Sequence, residues 1–134
     1  MRFVIGLDAA LRLMRERIDV PLEHSLVAPT LLRSEALSAL YASALRGDID
    51  RREAAAQLDH MRALRIRLLG DRVLQKAAWD IAEQLGWNDT LRAEYVALTR
   101  LQADAFVTLD DEFAHAVKDI VPLASFEELL TRRS

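Results

Sequence analysis

Three carboxylates stand at positions where a charge has little structural use. Asp8 ends the apolar run 3–7, Glu35 lies inside the helical stretch 31–37, and Asp110 ends the apolar run 105–109. Burying a lone carboxylate is costly, so acids at such positions indicate a site that requires negative charge. A divalent cation held by oxygen ligands is the most frequent requirement of this kind. The pattern therefore predicts a metal-dependent hydrolase.

Each of these acids also has a purely structural interpretation. Asp is a favoured N-cap residue, so Asp8 and Asp110 could each cap the helix that follows. Glu35 could border a buried helix stripe and pair with an arginine. Its neighbours on the same helix face are apolar or small: Leu31, Leu32, Ala39 and Ala42. Both interpretations stay open for every one of the three.

Length and composition restrict the class of protein. With 134 residues, 51% of them hydrophobic, the chain is predicted to form one domain, 1–134. A formal charge of −3 argues against binding of nucleic acid by bulk positive charge, although it allows a local basic patch. The lack of cysteine excludes disulfide frameworks and thiolate sites. The first apolar run is too short for a signal peptide or a membrane span, so we expect a cytoplasmic protein with no membrane partner.

Short β-type runs alternate with longer helical ones along the chain. Strands are predicted at 3–7, 25–28, 66–69, 105–109 and 121–123. Helices are predicted at 9–18, 30–45, 50–64, 71–85, 90–102 and 111–117, with a last helix capped by Ser125. Strands separated by helices imply an α/β fold with a parallel sheet covered on both faces. Ligands bind such sheets at the carboxyl ends of the strands, where Asp8 and Asp110 are expected.

Four segments carry a resemblance to a known family. They are VIGLDA at 4–9, APTLLRSEAL at 28–37, AEYVALT at 93–99 and ADAFVTLD at 103–110. In order and spacing they resemble the PIN domain, and within it the VapC-type ribonuclease toxins of bacterial toxin–antitoxin pairs. The resemblance covers essentially the whole chain. It implies a three-layer α/β/α sandwich, Mg²⁺- or Mn²⁺-dependent RNA cleavage, frequent homodimers, and neutralisation by an antitoxin whose tail occupies the groove over the site.

The resemblance also assigns the site residues. Asp8, Glu35 and Asp110 match the family's first, second and fourth acidic positions, which makes them the expected catalytic and metal-binding residues. The third position carries Arg92 where the family has an aspartate. A cation in the first turn of a helix faces the positive end of the helix dipole, and it should repel a metal. The family's hydroxyl or amide residue soon after the first acid is replaced by Ala10.

The sequence leaves open the roles of three residues at and near position 92: Asp89, Glu94 and Arg92 itself. Asp89 could reach the site from the preceding turn as a substitute acid. Glu94 lies about 200° around the helix from position 92, which makes it a poor substitute. Arg92 itself could contact an RNA phosphate, since guanidinium pairs well with phosphate oxygens.

Two functions from different classes follow. The first is an active metal-dependent ribonuclease toxin, supported by the overall pattern and the three retained acids. The alternative is a catalytically degenerate PIN domain that binds RNA or a protein, supported by Arg92 and Ala10. The arginines in 62–67 could form a basic rim, but solvated charges are the simpler interpretation. The larger aromatic residues are predicted to be core residues rather than base-stacking ones: Tyr41, Trp79, Trp87 and Tyr95.

Overall fold

The computed structural model describes residues 1–132, which fold as helices around one parallel sheet. The strands are β1 Arg2–Ile5, β2 Ser25–Pro29, β3 Arg67–Leu69 and β4 Ala105–Val107. The helices are α1 Leu7–Arg15, α2 Leu31–Leu45, α3 Arg51–Ala63, α4 Arg72–Leu85, α5 Leu91–Gln102, α6 Asp111–Val117 and α7 Phe126–Leu130. The strand order is β3-β2-β1-β4, and Phe3 in β1 is paired with Leu26 and Ala105. The predicted α/β class is confirmed.

Both faces of the sheet are covered, as the alternation of side chains along β1 shows. Phe3 and Ile5 point to one face and pack with residues of α1, α2 and α7. Val4 points to the other face and packs with residues of α4, α5 and α6. Successive strand residues point to opposite faces, so a strand buried on both sides is apolar throughout. The sheet is thus the middle layer of an α/β/α sandwich.

Local signals set most element ends. Asp71 caps α4 by accepting from the Leu74 N–H, and Gly86 ends that helix with a φ of 69°, a conformation that favours glycine. Ser125 and Glu128 form the predicted capping box of α7. Helix α1 begins at Leu7 rather than at residue 9, because β1 ends two residues earlier than predicted.

Two sequence predictions about structure are wrong. The predicted strand 121–123 contributes only an isolated bridge from Leu123 to Phe106. Trp79 and Tyr41 are exposed, at 66% and 67%, and are not core residues. The predicted domain 1–134 stays a prediction, and its last two positions, 133 and 134, lie outside the described residues. Within residues 1–132, no helix is long and apolar enough to cross a membrane.

Candidate active site

Asp8 lies in the first turn of α1 and connects that turn to the segment after β4. Its Oδ2 accepts hydrogen bonds from the Thr108 hydroxyl at 2.8 Å and from the Leu109 N–H at 2.9 Å. Its Oδ1 accepts from the Ala9 N–H at 2.7 Å. The N-cap of α1 is Gly6, and no side chain caps that helix. Asp8 is therefore not the N-cap residue of α1, although its carboxylate accepts one N–H of the first turn, and its three donors hold it in a fixed orientation.

Gly6 provides the space that this carboxylate needs. Its N–H donates to the Val107 carbonyl at 2.9 Å, which fixes the end of β1 against the end of β4. A Cβ atom at position 6 would lie 2.9 Å from Asp8 Oδ1 and 3.4 Å from the Val107 oxygen. Any side chain at position 6 would therefore displace the Asp8 carboxylate.

Glu35 is held by a phenol and not by an arginine. It is half-buried on α2, and its Oε1 accepts a 2.7 Å hydrogen bond from the Tyr95 hydroxyl on α5. The Tyr95 ring is 3% exposed and packs near Phe106. Burial and then the hydrogen bond to Glu35 raise the pKa of Tyr95 well above its usual range. The phenol therefore remains a neutral donor at physiological pH, and Glu35 has a stable partner on the neighbouring helix.

Glu94 on α5 is an acid whose charge interacts with that of Glu35. Partial burial, followed by the negative charge of Glu35, raises the pKa of Glu94. After burial and the hydrogen bond, the negative charges of Glu35, Glu94 and Asp8 add to the raised pKa of Tyr95. The position of Glu94 was predicted relative to position 92, which was expected to face the site. The sequence signal for Glu94 is that it is the one charged residue in 93–99, AEYVALT.

Arg92 lies against aromatic rings. Its guanidinium carbon is 4.8 Å from the ring centroid of Trp87 and 5.1 Å from that of Phe113. A cation over an aromatic face is attracted by the ring quadrupole, and this contact holds the exposed side chain in place. Asp89, the proposed substitute acid, accepts a hydrogen bond from the Leu91 N–H at 3.1 Å. Asp89 therefore supports the start of α5.

Asp110 caps a helix, and Ala10 lies in the core. Asp110 is the N-cap of α6 and accepts from the Phe113 N–H at 3.0 Å through Oδ1, so the capping interpretation describes this residue. The predicted metal-binding role of Asp110 remains a prediction that would use its other oxygen. Ala10 is fully buried in the core, and the Thr108 hydroxyl supplies the polar partner of Asp8.

The structure thus gathers part of the predicted site. Tyr95 holds Glu35, and the Thr108 hydroxyl, which donates to Asp8, accepts from the Asp110 N–H at 3.2 Å. The structure therefore links Asp8 to Asp110 through Thr108, and Asp110 also caps α6. Over residues 1–132 no three acidic or histidine side chains form a group that could hold a metal ion. The carboxylates are concentrated and oriented, but they do not form a three-ligand cage.

Two solved structures have the same fold. The chain is similar to PAE2754 from Pyrobaculum aerophilum, with a TM-score of 0.74 and 22% identity over 97% of this chain and 93% of that one. It is also similar to VapBC2 from Rickettsia felis, solved bound to a promoter DNA fragment, with a TM-score of 0.63 and 14% identity over 93% of this chain and 98% of that one. No family model and no curated protein matches the sequence. At these identities the likeness shows the fold alone, and that fold is the PIN-like α/β/α sandwich that the resemblance implies.

Proposed function

We propose that the protein is a metal-dependent ribonuclease and the toxin component of a toxin–antitoxin pair. The observation that carries the proposal is a set of oriented and interacting carboxylates. Thr108 and Leu109 hold Asp8, and the Tyr95 hydroxyl holds Glu35. Partial burial and the charge of Glu35 raise the pKa of Glu94. Like charges raise the free energy of the metal-free fold, and a cation at this place would relieve the repulsion. The fold shared with a VapBC structure supports the choice of this class.

The residues fit a hydrated ion better than a fully caged one. Mg²⁺ usually keeps several waters and is held by one or two carboxylates together with substrate phosphates. Glu35 and Glu94, whose charges interact, would supply such a pair, and this arrangement does not require the three-ligand group that residues 1–132 lack. A bound ion would supply an activated water and stabilise charge on the scissile phosphate.

The chain's own residues orient the acids. The Thr108 hydroxyl and Leu109 N–H fix Asp8 from the β4 side, and Tyr95 fixes Glu35 from the α5 side. Positioning by fixed hydrogen bonds lowers the cost of assembling a site when substrate arrives. Asp110 keeps one carboxylate oxygen for this role while the other caps α6.

The proposal includes an antitoxin and a second copy of the chain as partners. Leu37, Tyr41 and Leu45 are exposed at four-residue spacing on α2, which gives one apolar helix face suited to an antitoxin segment. Val73 on α4 and Leu101 on α5 are exposed around one concave surface, which supports a homodimer. Sedimentation of the isolated chain tests the homodimer directly.

Titration with Mn²⁺ beside an RNA-cleavage assay tests the enzymatic function. We expect stoichiometric Mn²⁺ binding, cleavage of a structured RNA in Mg²⁺, and no cleavage in EDTA. Glu35→Gln should weaken Mn²⁺ binding by about tenfold or more, equivalent to ~1.4 kcal/mol. Glu127→Gln, a change of an exposed acid on α7, is the matched control and should behave as wild type. No Mn²⁺ binding by the wild type would refute the proposal.

A binding module without catalysis is the second candidate. Arg92 occupies the position of a family acid and is held over Trp87 and Phe113, so that acid has no direct replacement in place. This function predicts RNA binding that is equal in EDTA and in Mg²⁺, with no cleavage in either.

A further inference from the structure

A cleft of about 620 Å³ lies at the edge of the sheet opposite the acids. Arg2, Ser25 and Arg67 are the first residues of β1, β2 and β3, and all three line it together with Arg65 and Leu64. Parallel strands begin at one edge and end at the other, so this amino-edge cleft and the carboxylate site are on opposite edges of the sheet. The cleft is therefore separate from the proposed active site.

The amino-edge cleft carries more positive than negative charge. Arg2, Arg65 and Arg67 line it, and Asp19 is the sole acid among its described lining residues. The Asp19 carboxylate lies 3.9 Å from Nε2 of the His60 ring. Arg2 donates to the Gln102 carbonyl, whereas the guanidinium groups of Arg65 and Arg67 have no hydrogen-bond or ion-pair partner within residues 1–132.

The backbone conformation of Arg65 is a second reason to expect a ligand at the amino-edge cleft. Arg65 follows the C-cap of α3 with a φ of 55°, a left-handed conformation in which glycine is the usual residue. Arg17 has a φ of 53° after α1, but its guanidinium bonds to the Met14 carbonyl and to Glu53, both at 2.9 Å. The side chain of Arg17 therefore compensates for its conformation, while that of Arg65 does not. A strained residue with an unused guanidinium beside a cleft points to a ligand outside the chain.

We propose that the amino-edge cleft binds backbone phosphates of an RNA strand through Arg65 and Arg67. Guanidinium presents a planar fork of donors that matches phosphate oxygens, and it stays charged at any physiological pH. The choice of RNA as the polyanion rests on the proposed ribonuclease function. The cleft would hold a part of the strand away from the cleavage site, so it would contribute affinity and register.

Anisotropy of a labelled single-stranded RNA in EDTA tests this proposal without metal or cleavage. The double variant Arg65→Gly with Arg67→Ala should bind about tenfold more weakly at 0.1 M salt, and the slope of log affinity against log salt should fall by about 1.4. Arg51→Ala with Arg52→Ala, two exposed arginines at the start of α3, is the matched control and should keep at least half of the wild-type affinity.

A second measurement separates binding from folding. Arg65→Gly alone should raise the melting temperature, since glycine relieves the left-handed strain, and yet lower RNA affinity. Unchanged affinity in the double variant would overturn the proposal. Displacement of the RNA by polyglutamate as readily as by unlabelled RNA would also overturn it, because the cleft would then select acidic protein. Mn²⁺ titration of the double variant tests the carboxylate site independently. The RNA-binding proposal and the metal-site proposal can therefore be refuted separately.

Discussion

The two edges of the sheet differ in charge and in how firmly the charged groups are held. At the carboxyl edge, Asp8 and Glu35 accept hydrogen bonds from named partners. At the amino edge, Arg65 and Arg67 have no such partner within the described residues. The formal charge of −3 conceals this separation, because a sum over the chain carries no positions. A site whose side chains are oriented before ligand arrives suits chemistry, and one with free side chains suits contact with a flexible strand.

Asp8→Asn should produce the largest stability effect, and it contrasts the two edges directly. Aspartate accepts from Thr108, Leu109 and Ala9, whereas asparagine must turn an NH₂ group toward at least one of those donors. We expect a loss of about 1–2 kcal/mol in the free energy of unfolding, measured by urea denaturation. Arg67→Ala at the amino edge is the comparison and should change it by less than about 0.5 kcal/mol. Equal losses would remove the distinction between held and free groups.

Arg92→Asp tests whether the carboxyl edge can be made more acidic. The variant loses the contact with Trp87 and Phe113, and it places a carboxylate in the first turn of α5, where the helix dipole favours it. Mn²⁺ affinity should rise about tenfold, equivalent to ~1.4 kcal/mol, as measured by calorimetry. If Arg92 instead contacts substrate, RNA affinity in EDTA falls and Mn²⁺ affinity is unchanged.

Tyr95→Phe tests how strongly the neighbouring helix holds Glu35. The ring stays packed beside Phe106, and only the hydroxyl that donates to Glu35 is removed. We expect a loss of about 1 kcal/mol of stability and weaker Mn²⁺ binding. Tyr41→Phe, at an exposed position on α2, is the control and should alter neither quantity. A stability loss with full Mn²⁺ affinity would restrict Tyr95 to a structural role.

Glu94→Gln should give the smallest effect, and its sign depends on pH. Burial and the charge of Glu35 raise the pKa of Glu94 in the folded state, so the ionised side chain costs stability. The unfolded pKa is about 4.3, and the cost is absent below it and grows as pH rises through the folded pKa. The glutamine variant should therefore melt at a higher temperature at pH 7 without metal. This advantage should disappear as the pH falls toward 4, and a constant difference would contradict the assignment.

Much of the fold could be predicted because local signals set it. The apolar runs and the caps at Asp71 and Ser125 locate strands and helices within a few residues. The prediction of a strand at 121–123 was wrong, because a run of that length does not reveal whether a neighbouring strand is available for pairing. The prediction that Trp79 and Tyr41 are core residues was wrong for a similar reason. Helical spacing among apolar residues does not show which face of the helix is covered.

The candidate site was predictable only in its residue types. Asp8 and Glu35 were chosen because a carboxylate within an apolar run is costly, and the structure places Asp8 against Thr108 and Leu109 and Glu35 against Tyr95. Glu94 meets the same criterion, but its position depends on how α5 is rotated against α2. Helix spacing relates residues within one helix and gives no information on rotation between two.

The sequence by itself determined the alternation of strands and helices, the parallel sheet and the acids at its carboxyl edge, because periodicity and capping are local properties of the chain. Only the tertiary structure decided which acids meet, that Tyr95 holds Glu35, and that Arg92 lies on aromatic rings. It also decided that Arg2, Arg65 and Arg67 share one cleft. Those outcomes depend on packing between segments far apart in the chain, where small rotations move a side chain from one site to another.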